Sequence, residues 1–256
     1  MSGNWQAFDD EVARWRDAGR RVQLWWRDDD AADVSAALER LLEVQRQTAV
    51  PLALAVVPAQ ATAALAERLA GAAAIDVLQH GYAHANHALP PDKKSELGAH
   101  RPAMLVLGEL GTGRMALERL FATRALPVLV PPWNRISPAL VPALPEIGFT
   151  GLSTFNARQR AEPAKGLRQI NTHVDVIDWK ESRGFVGKDV ALAALVEALR
   201  RSRSATSEPV GLLSHHLAMD EGAWDFLSSL WGRAIMLPGV ELCSARDLFA
   251  SREARV

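Results

Sequence analysis

Three consecutive carboxylates, Asp28, Asp29 and Asp30, follow the run Leu24-Trp25-Trp26-Arg27. Adjacent acids repel one another and are costly to bury unless a cation neutralises them, so a metal ion removes the cost and a catalytic base makes use of it. Strand alternation would send Asp28 and Asp30 to one face and Asp29 to the other. Alternation weakens where a strand ends, so parity alone does not choose the functional pair. In His80-Gly-Tyr-Ala-His84 a spacing of four places two imidazoles on one side of a helical turn, an arrangement that chelates Zn²⁺. A carboxylate from another strand would complete an Asp/His/His set, which leaves positions for water and a substrate oxygen. Leu212-Leu213-Ser214 runs into His215 and His216. One of these could act as a general acid that protonates a leaving amine; the plainer alternative is a buried, hydrogen-bonded histidine. Tyr82, Trp133 and Trp179 lie beside these residues as faces on which a sugar ring could stack, against the simpler role of packing in a chain with eight tryptophans.

These groups need elements that bring them together. The chain alternates strand-like and helix-like stretches. Trp5, Phe8, Val12 and Trp15 recur at helical spacing, which predicts a helix over about 4–18 with Gly19 as its stop. Strand-like runs lie at 21–30, 51–58, 75–80, 126–133, 149–155, 174–178 and 210–216, with a short one near 239–242. Helical stretches lie between them at 34–47, 61–71, 103–124, 137–148, 188–202, 220–233 and 244–252. Such alternation predicts an α/β fold with a mainly parallel sheet, and the count is about seven strands. Asp28–Asp30, His80, the Pro131-Pro132-Trp133 turn, Asp178 and His215 all fall at C-terminal ends of predicted strands. In parallel α/β folds those ends share one rim, where active sites are built.

Composition narrows the partners. The 256 residues carry 29 Lys and Arg against 30 Asp and Glu, so nothing resembles the basic footprint of a nucleic-acid binder. Hydrophobic residues at 48% are enough for a substantial core, and no linker or repeat interrupts the chain, which predicts one domain over 1–256. A single cysteine, Cys243, excludes an intrachain disulfide and reads as a buried apolar residue. No apolar run is long enough to cross a bilayer, so no integral membrane association is expected. The amphipathic N-terminus lacks the features of a signal peptide, which makes the cytoplasm the expected compartment.

The order of these pieces resembles the polysaccharide deacetylase (NodB-homology) family of carbohydrate esterases over about residues 22–220. The resemblance rests on an Asp pair after the first strand, His-x-x-x-His after the third, a Pro-Pro-aromatic turn, an Asp-Trp pair and Leu-x-x-His near the end. It implies a distorted (β/α) barrel, often of seven strands. It implies Asp29 as general base, Asp30, His80 and His84 as metal ligands, and His215 as general acid. Pro132 and Trp133 would form the substrate groove, Asp178 and Trp179 the fourth motif, and Leu212 the acyl-methyl pocket. The metal would be Zn²⁺ or another ion that imidazole and carboxylate accept, such as Co²⁺, Ni²⁺, Mn²⁺ or Fe²⁺. The activity would be removal of an acetyl group from an N-acetylated sugar or oligosaccharide. Two departures stand out. The third motif usually begins with an arginine that orients the base, where this chain has Val130; Arg135 and Arg27 are the candidates to replace it. The fifth motif often has an aspartate after its histidine, where this chain has His216. The rival readings are hydrolysis of a non-sugar C–N amide on the same scaffold and a sugar-binding homologue without turnover.

Overall fold

In the computed structural model, residues 5–206 and 208–250 are described. The first helix, α1 (Trp5–Asp17), buries Phe8, Val12 and Trp15 along one stripe, as their spacing requires. Then β1 (Val22–Ala31), α2 (Ala36–Thr48), β2 (Leu52–Val56), α3 (Ala63–Ala70) and β3 (Ile75–His80) follow in strict alternation. Ser35 and Thr62 accept from the N–H groups of Leu38 and Leu65 and so start α2 and α3. The chain continues through α4 (Ala103–Phe121), β4 (Ala125–Val130), β5 (Gly151–Leu152), β6 (Arg168–Gln169) and β7 (Val174–Asp175). It ends with α5 (Lys188–Arg201), β8 (Val210–Ser214), α6 (Glu221–Ala234), β9 (Val240–Leu242) and α7 (Ala245–Phe249).

All nine strands belong to one sheet, in the order β6-β5-β4-β3-β2-β1-β8-β7, with β9 paired to β1. Every pairing between named strands is parallel. The count exceeds seven for two reasons. β9 is a short addition against Val22–Leu24, and β6 and β7 are the two halves of one extended passage. On one side of that passage Ile170 N–H and Thr172 N–H donate to the carbonyls of Leu152 and Thr154. On the other, His173 N–H and Val176 N–H donate to Gly211 and Leu213. The two ends of the sheet therefore meet through residues 168–176, giving an α/β barrel with an irregular closing strand.

Side-chain alternation divides the interior into two layers. Val22, Leu24 and Trp26 of β1 join the large cluster between sheet and helices, whereas Trp25 joins Ala53, Ala55, Leu78, Val128 and Ile170 inside the barrel. The Trp25 ring spans the interior and donates from Nε1 to Asn171 O at 3.2 Å. Gly211 has no side chain because that ring passes over it; an added Cβ would lie 2.5 Å from Trp25 Nε1. Leu248 and Phe249 of α7 plug the lower end, and Cys243 is buried with them.

Several boundaries differ from expectation. Residues 137–148 form two one-turn 3₁₀ segments, Val141–Ala143 and Pro145–Ile147, because Pro142 and Pro145 cannot donate the hydrogen bonds of a continuous helix. Strand β6 is polar and two residues long, so it carries no hydrophobic pattern to reveal it. The last helix stops at Phe249; its expected end at 252, like residue 4 of the first helix, lies outside the described residues. Among the described residues, no helix is long and apolar enough to cross a membrane.

Candidate active site

The end of β1 sorts the three aspartates. Asp28 follows the parity of Trp26 and points outward, into the layer between sheet and helices. Its Oδ2 accepts from Ser214 Oγ at 2.6 Å and from His216 N–H at 3.1 Å, and its Oδ1 lies 2.5 Å from His216 Nδ1. Burial opposes charge on His216, but the Asp28 carboxylate outweighs it and raises the imidazole pKa. Asp28 and His216 thus pair with each other behind the rim and fasten the end of β8 to β1. Asp29 points inward with Arg27. Alternation would turn Asp30 outward again, but the β1–β2 register slips between Asp28 and Ala31, and Asp30 adopts a left-handed backbone with φ of 75°. That irregularity brings Asp30 to the rim, where its Oδ1 lies 3.0 Å from His80 Nε2 and 3.2 Å from His84 Nε2.

The two histidines are not presented by a helical turn. His80 is the last residue of β3, and residues 81–85 form an irregular loop with positive φ at Gly81 and His84. Glu96 holds this loop: its buried carboxylate accepts from the N–H groups of Tyr82, Ala83 and Ala85. Gly81 leaves room for it, since an added Cβ would lie 2.0 Å from Glu96 Oε2 and 2.5 Å from Pro132 Cγ. In the sequence Glu96, like His100, is only a polar residue that follows the histidine motif and could project from a rim loop; its grip on residues 82–85 comes from the fold. His100, farther along the chain, faces Asp92 at 3.8 Å instead of the Asp30 group. Tyr82 is half-buried, and its backbone links Glu96 to Ala59 N–H.

The donor set suits a divalent cation. One carboxylate oxygen and two imidazole nitrogens lie within 4.8 Å of one another. His80 Nδ1 lies 3.1 Å from Val130 O, and because a carbonyl only accepts, Nδ1 carries a proton, which leaves Nε2 as the atom that would meet a cation. Burial is the largest influence on the Asp30 carboxyl and works against ionisation. The hydrogen bond and charge of His80, with the charges of His215 and His84, outweigh it and hold the pKa well below the usual carboxylate range. Burial and the neighbouring His80 lower the pKa of His84, which favours the neutral form that ligates metals. Burial also opposes charge on the His80 ring, but the Asp29 and Asp30 carboxylates outweigh it and raise its pKa, so a cation bound there would take the place of the Nε2 proton between His80 and Asp30.

Across the rim, His215 follows β8. Its ring meets Trp179 edge-on at 4.7 Å, and Nδ1 lies 3.8 Å from Asp175 Oδ1. Trp179 Nε1 in turn donates to Asp175 Oδ2 at 2.8 Å. Burial raises the Asp175 pKa, although His215, the Ile177 N–H and Trp179 all favour its charged form. Asp178, the acid expected here, instead caps a surface turn and accepts from the N–H groups of Lys180, Glu181 and Ser182. Leu212 also departs from expectation. It pairs with Trp26 and packs outward against the helices, whereas Leu213 pairs with Arg27 and shares the inward parity of His215. Period-two alternation counted back from His215 would have found Leu213.

The turn after β4 closes the remaining side. Pro132 is buried against Gly81, and Trp133 and Asn134 take positive φ values of 53° and 56°. The Trp133 ring stands 4.4 Å from the His84 ring. Asn134 N–H is engaged by Pro131 O, and its side-chain oxygen accepts from Arg27 at 2.8 Å.

No family model and no curated protein matches the chain. Solved structures do match over nearly its whole length. A candidate polysaccharide deacetylase from Mycobacterium smegmatis superposes with a TM-score of 0.68 at 14% identity, covering 91% of each chain. The T48 deacetylase, solved with substrate, gives 0.59 at 16% identity over 91% of this chain and 92% of its own. The family 4 acetyl xylan esterase from Clostridium thermocellum, solved with a cobalt ion, gives 0.55 at 15% identity over 89% and 90%. The chain has the polysaccharide deacetylase fold. Of the two arginines named for the place where this chain has Val130, Arg27 is the one that meets Asp29. Arg27 Nε donates to Asp29 Oδ1 at 2.8 Å and its Nη2 to Asp29 Oδ2 at 3.0 Å, in a bidentate pair with both side chains essentially out of water. Its other N–H groups reach Ser153 Oγ, Thr154 O and Asn134 Oδ1. Arg135 is not part of this group; it donates to Lys94 O on the surface. Val130 packs inside the barrel, and its carbonyl holds His80 Nδ1 and Gly81 N–H.

Proposed function

We propose that this protein is a metal-dependent hydrolase that removes an acetyl or related acyl group from the nitrogen of an amino sugar or a similar amide. The observation that carries the reading is the convergence of Asp30 Oδ1, from the end of β1, with the Nε2 atoms of His80 and His84, from the end of β3 and the loop after it. Those three residues would hold the ion. A divalent ion there would activate water and polarise the acyl carbonyl.

The chain's own groups do the rest. Asp29 accepts the proton from the attacking water, and the Arg27 fork fixes the plane of its carboxylate so that it faces the site in one orientation. His215 donates a proton to the departing amine, and Asp175 lies behind its Nδ1 to orient the ring. Of the two backbone donors beside the β4 turn, Asn134 N–H is already engaged, which leaves Trp133 N–H as the candidate to meet the developing oxyanion. Trp133 and the half-exposed Trp179 stand beside the metal ligands and the acid, where they would flank a sugar ring. Leu213 takes the place first assigned to Leu212, beside the acyl methyl.

The test is metal analysis together with acetate release. Purified protein loaded with Zn²⁺, Co²⁺ or Mn²⁺ is incubated with N-acetylated sugars and short chito-oligosaccharides. The expected result is about one ion per chain and metal-dependent acetate release. Turnover that survives full chelation would overturn the reading. The buried Arg27–Asp29 pair favours catalysis over the sugar-binding alternative, because a mere binding surface has no need of a buried, oriented carboxylate. Binding of these sugars without acetate release would favour that alternative.

A further inference from the structure

A cleft of about 500 Å³ opens beside the site, between the turn after β4 and the loop that follows β5. That volume falls within the roughly 300–1,000 Å³ usual for small-molecule sites. It is linked to the catalytic groups through Arg27. Asn134 and Thr154 line the cleft, and both accept hydrogen bonds from Arg27, whose other edge grips Asp29. One guanidinium thus separates the cleft from the proposed base. Its floor is neutral and polar, with Gln169 Nε2 donating to Thr154 Oγ1 and to Asn171 Oδ1.

Charge distinguishes this cleft from the rest of the molecule. The chain as a whole carries a formal net charge of −1, yet the lining includes Arg135, Arg158 and Arg160 and no acid. Arg158 is partly compensated from beneath by the buried Glu208, at 3.8 Å, and donates to Gln169 O. Among the described residues Arg135 is bound through Nη1 to a carbonyl, that of Lys94, and its charge meets no carboxylate. Arg160 is exposed and has no ion pair among the described residues. The nearest acid on the same loop, Glu162, is turned to Gly166 N–H. Arginines that line one cleft and keep spare donors are suited to planar or tetrahedral oxyanions, which a guanidinium binds bidentately.

We propose that this cleft is a subsite for an oxyanion, a carboxylate or a phosphate, carried by the substrate beside its acylated nitrogen. Arg135 and Arg160 are its counter-charges, and Arg158 supports them from the wall. The inference rests on the deacylase reading for the placement of the rest of the substrate. The preferred substrates are then acidic or phosphorylated amino sugars, and neutral chito-oligosaccharides are poorer ones.

Calorimetric titration of the metal-loaded full chain tests this without requiring turnover. The probes are N-acetylglucosamine, its 6-phosphate, its 1-phosphate and its 3-O-lactyl ether. At least one anionic probe should bind about tenfold or more tighter than the neutral sugar, a gain equal to about 1.4 kcal/mol. The advantage should vanish in Arg135→Met/Arg160→Met and shrink as added salt screens it. Arg160→Glu, a single surface change, should make the neutral sugar the better ligand. A gain confined to the lactyl ether identifies a carboxylate as the natural group, and one confined to the phosphates identifies a phosphoryl group; either supports the proposal. Equal binding of neutral and anionic probes, or an advantage that persists in the double variant, overturns it. Acetate release is measured on the same samples. Release without charge preference would sink the subsite and leave the deacylase reading intact. Charge-dependent binding with no release from any probe would do the reverse.

Discussion

Replacing Arg27 with Met removes the cation hydrogen-bonded to both oxygens of Asp29. The side chain is fully buried, and its Nε, Nη1 and Nη2 atoms make five hydrogen bonds, two of them to the Asp29 carboxylate. Methionine keeps much of the length and fills much of the volume, so the main loss is charge. Breaking a buried ion pair by deleting one partner costs about 3–5 kcal/mol, because the other charge remains desolvated. For a chain of this size 1 kcal/mol shifts Tm by about 2–4 °C, which gives a fall of roughly 6–20 °C. A thermal melt of metal-loaded protein reads that loss. Kinetics on the same samples distinguish positioning from simple destabilisation. Well below the lowered Tm, kcat should fall at least about tenfold with little change in KM, since Arg27 orients the base without serving as a metal ligand. Metal stoichiometry should hold, because the Asp30, His80 and His84 atoms that meet at the site lie outside this pair. Arg27→Lys keeps the charge but loses the fork, so it should recover much of the Tm and less of kcat. A Met variant with Tm within about 2 °C of the parent and kcat within twofold would refute the argument, since both magnitudes follow from the buried pair.

Further outcomes follow from the same geometry. His80→Ala or His84→Ala should lose the bound ion on elemental analysis, whereas Asp29→Asn should retain it and lose turnover. Asp175→Asn should lower kcat by removing the group behind His215 Nδ1. Asp178→Asn should leave kcat within about twofold, because Asp178 serves only a surface turn whose caps are worth about 1 kcal/mol. The His216 pKa is raised above 6.5 in the folded state, so its pairing with Asp28 stabilises the fold fully below that value and is lost as pH rises through the raised one. Denaturant titrations of the parent should therefore show stability declining on the alkaline side. Asp28→Asn should flatten that slope; an unchanged slope would show that the pair does not titrate in this window.

The Leu24-Trp25-Trp26 run, the apolar PLALAVVP segment and the recurrent helix caps leave an alternating β/α chain as the arrangement that buries them. Parallel alternation then places every strand's C-terminal end on one rim, which is why His80, His215 and the aspartates could be assigned to a common site from their positions alone. The errors fall where backbone geometry departs from regular periods. Residues 137–148 hold a helix-like pattern that two prolines interrupt. Adjacency to Trp179 points to Asp178 as the fourth-motif acid. Yet a turn reverses the chain there, so that Trp179 donates back to Asp175 and only that earlier acid faces His215.

The order of residue types along the chain determined the sheet, the rim and the chemical inventory, because hydrophobic periodicity and capping are local properties that sequence records directly. Tertiary structure decided which members of that inventory meet. A register slip and a positive φ at Asp30 turned its carboxylate towards two histidines, while Asp28 turned away to His216. The contacts of Arg27 with Ser153 and Asn134, which hold the fork it presents to Asp29, join residues more than a hundred positions apart. Contacts of that kind depend on backbone turns and strand register, and no local pattern encodes them.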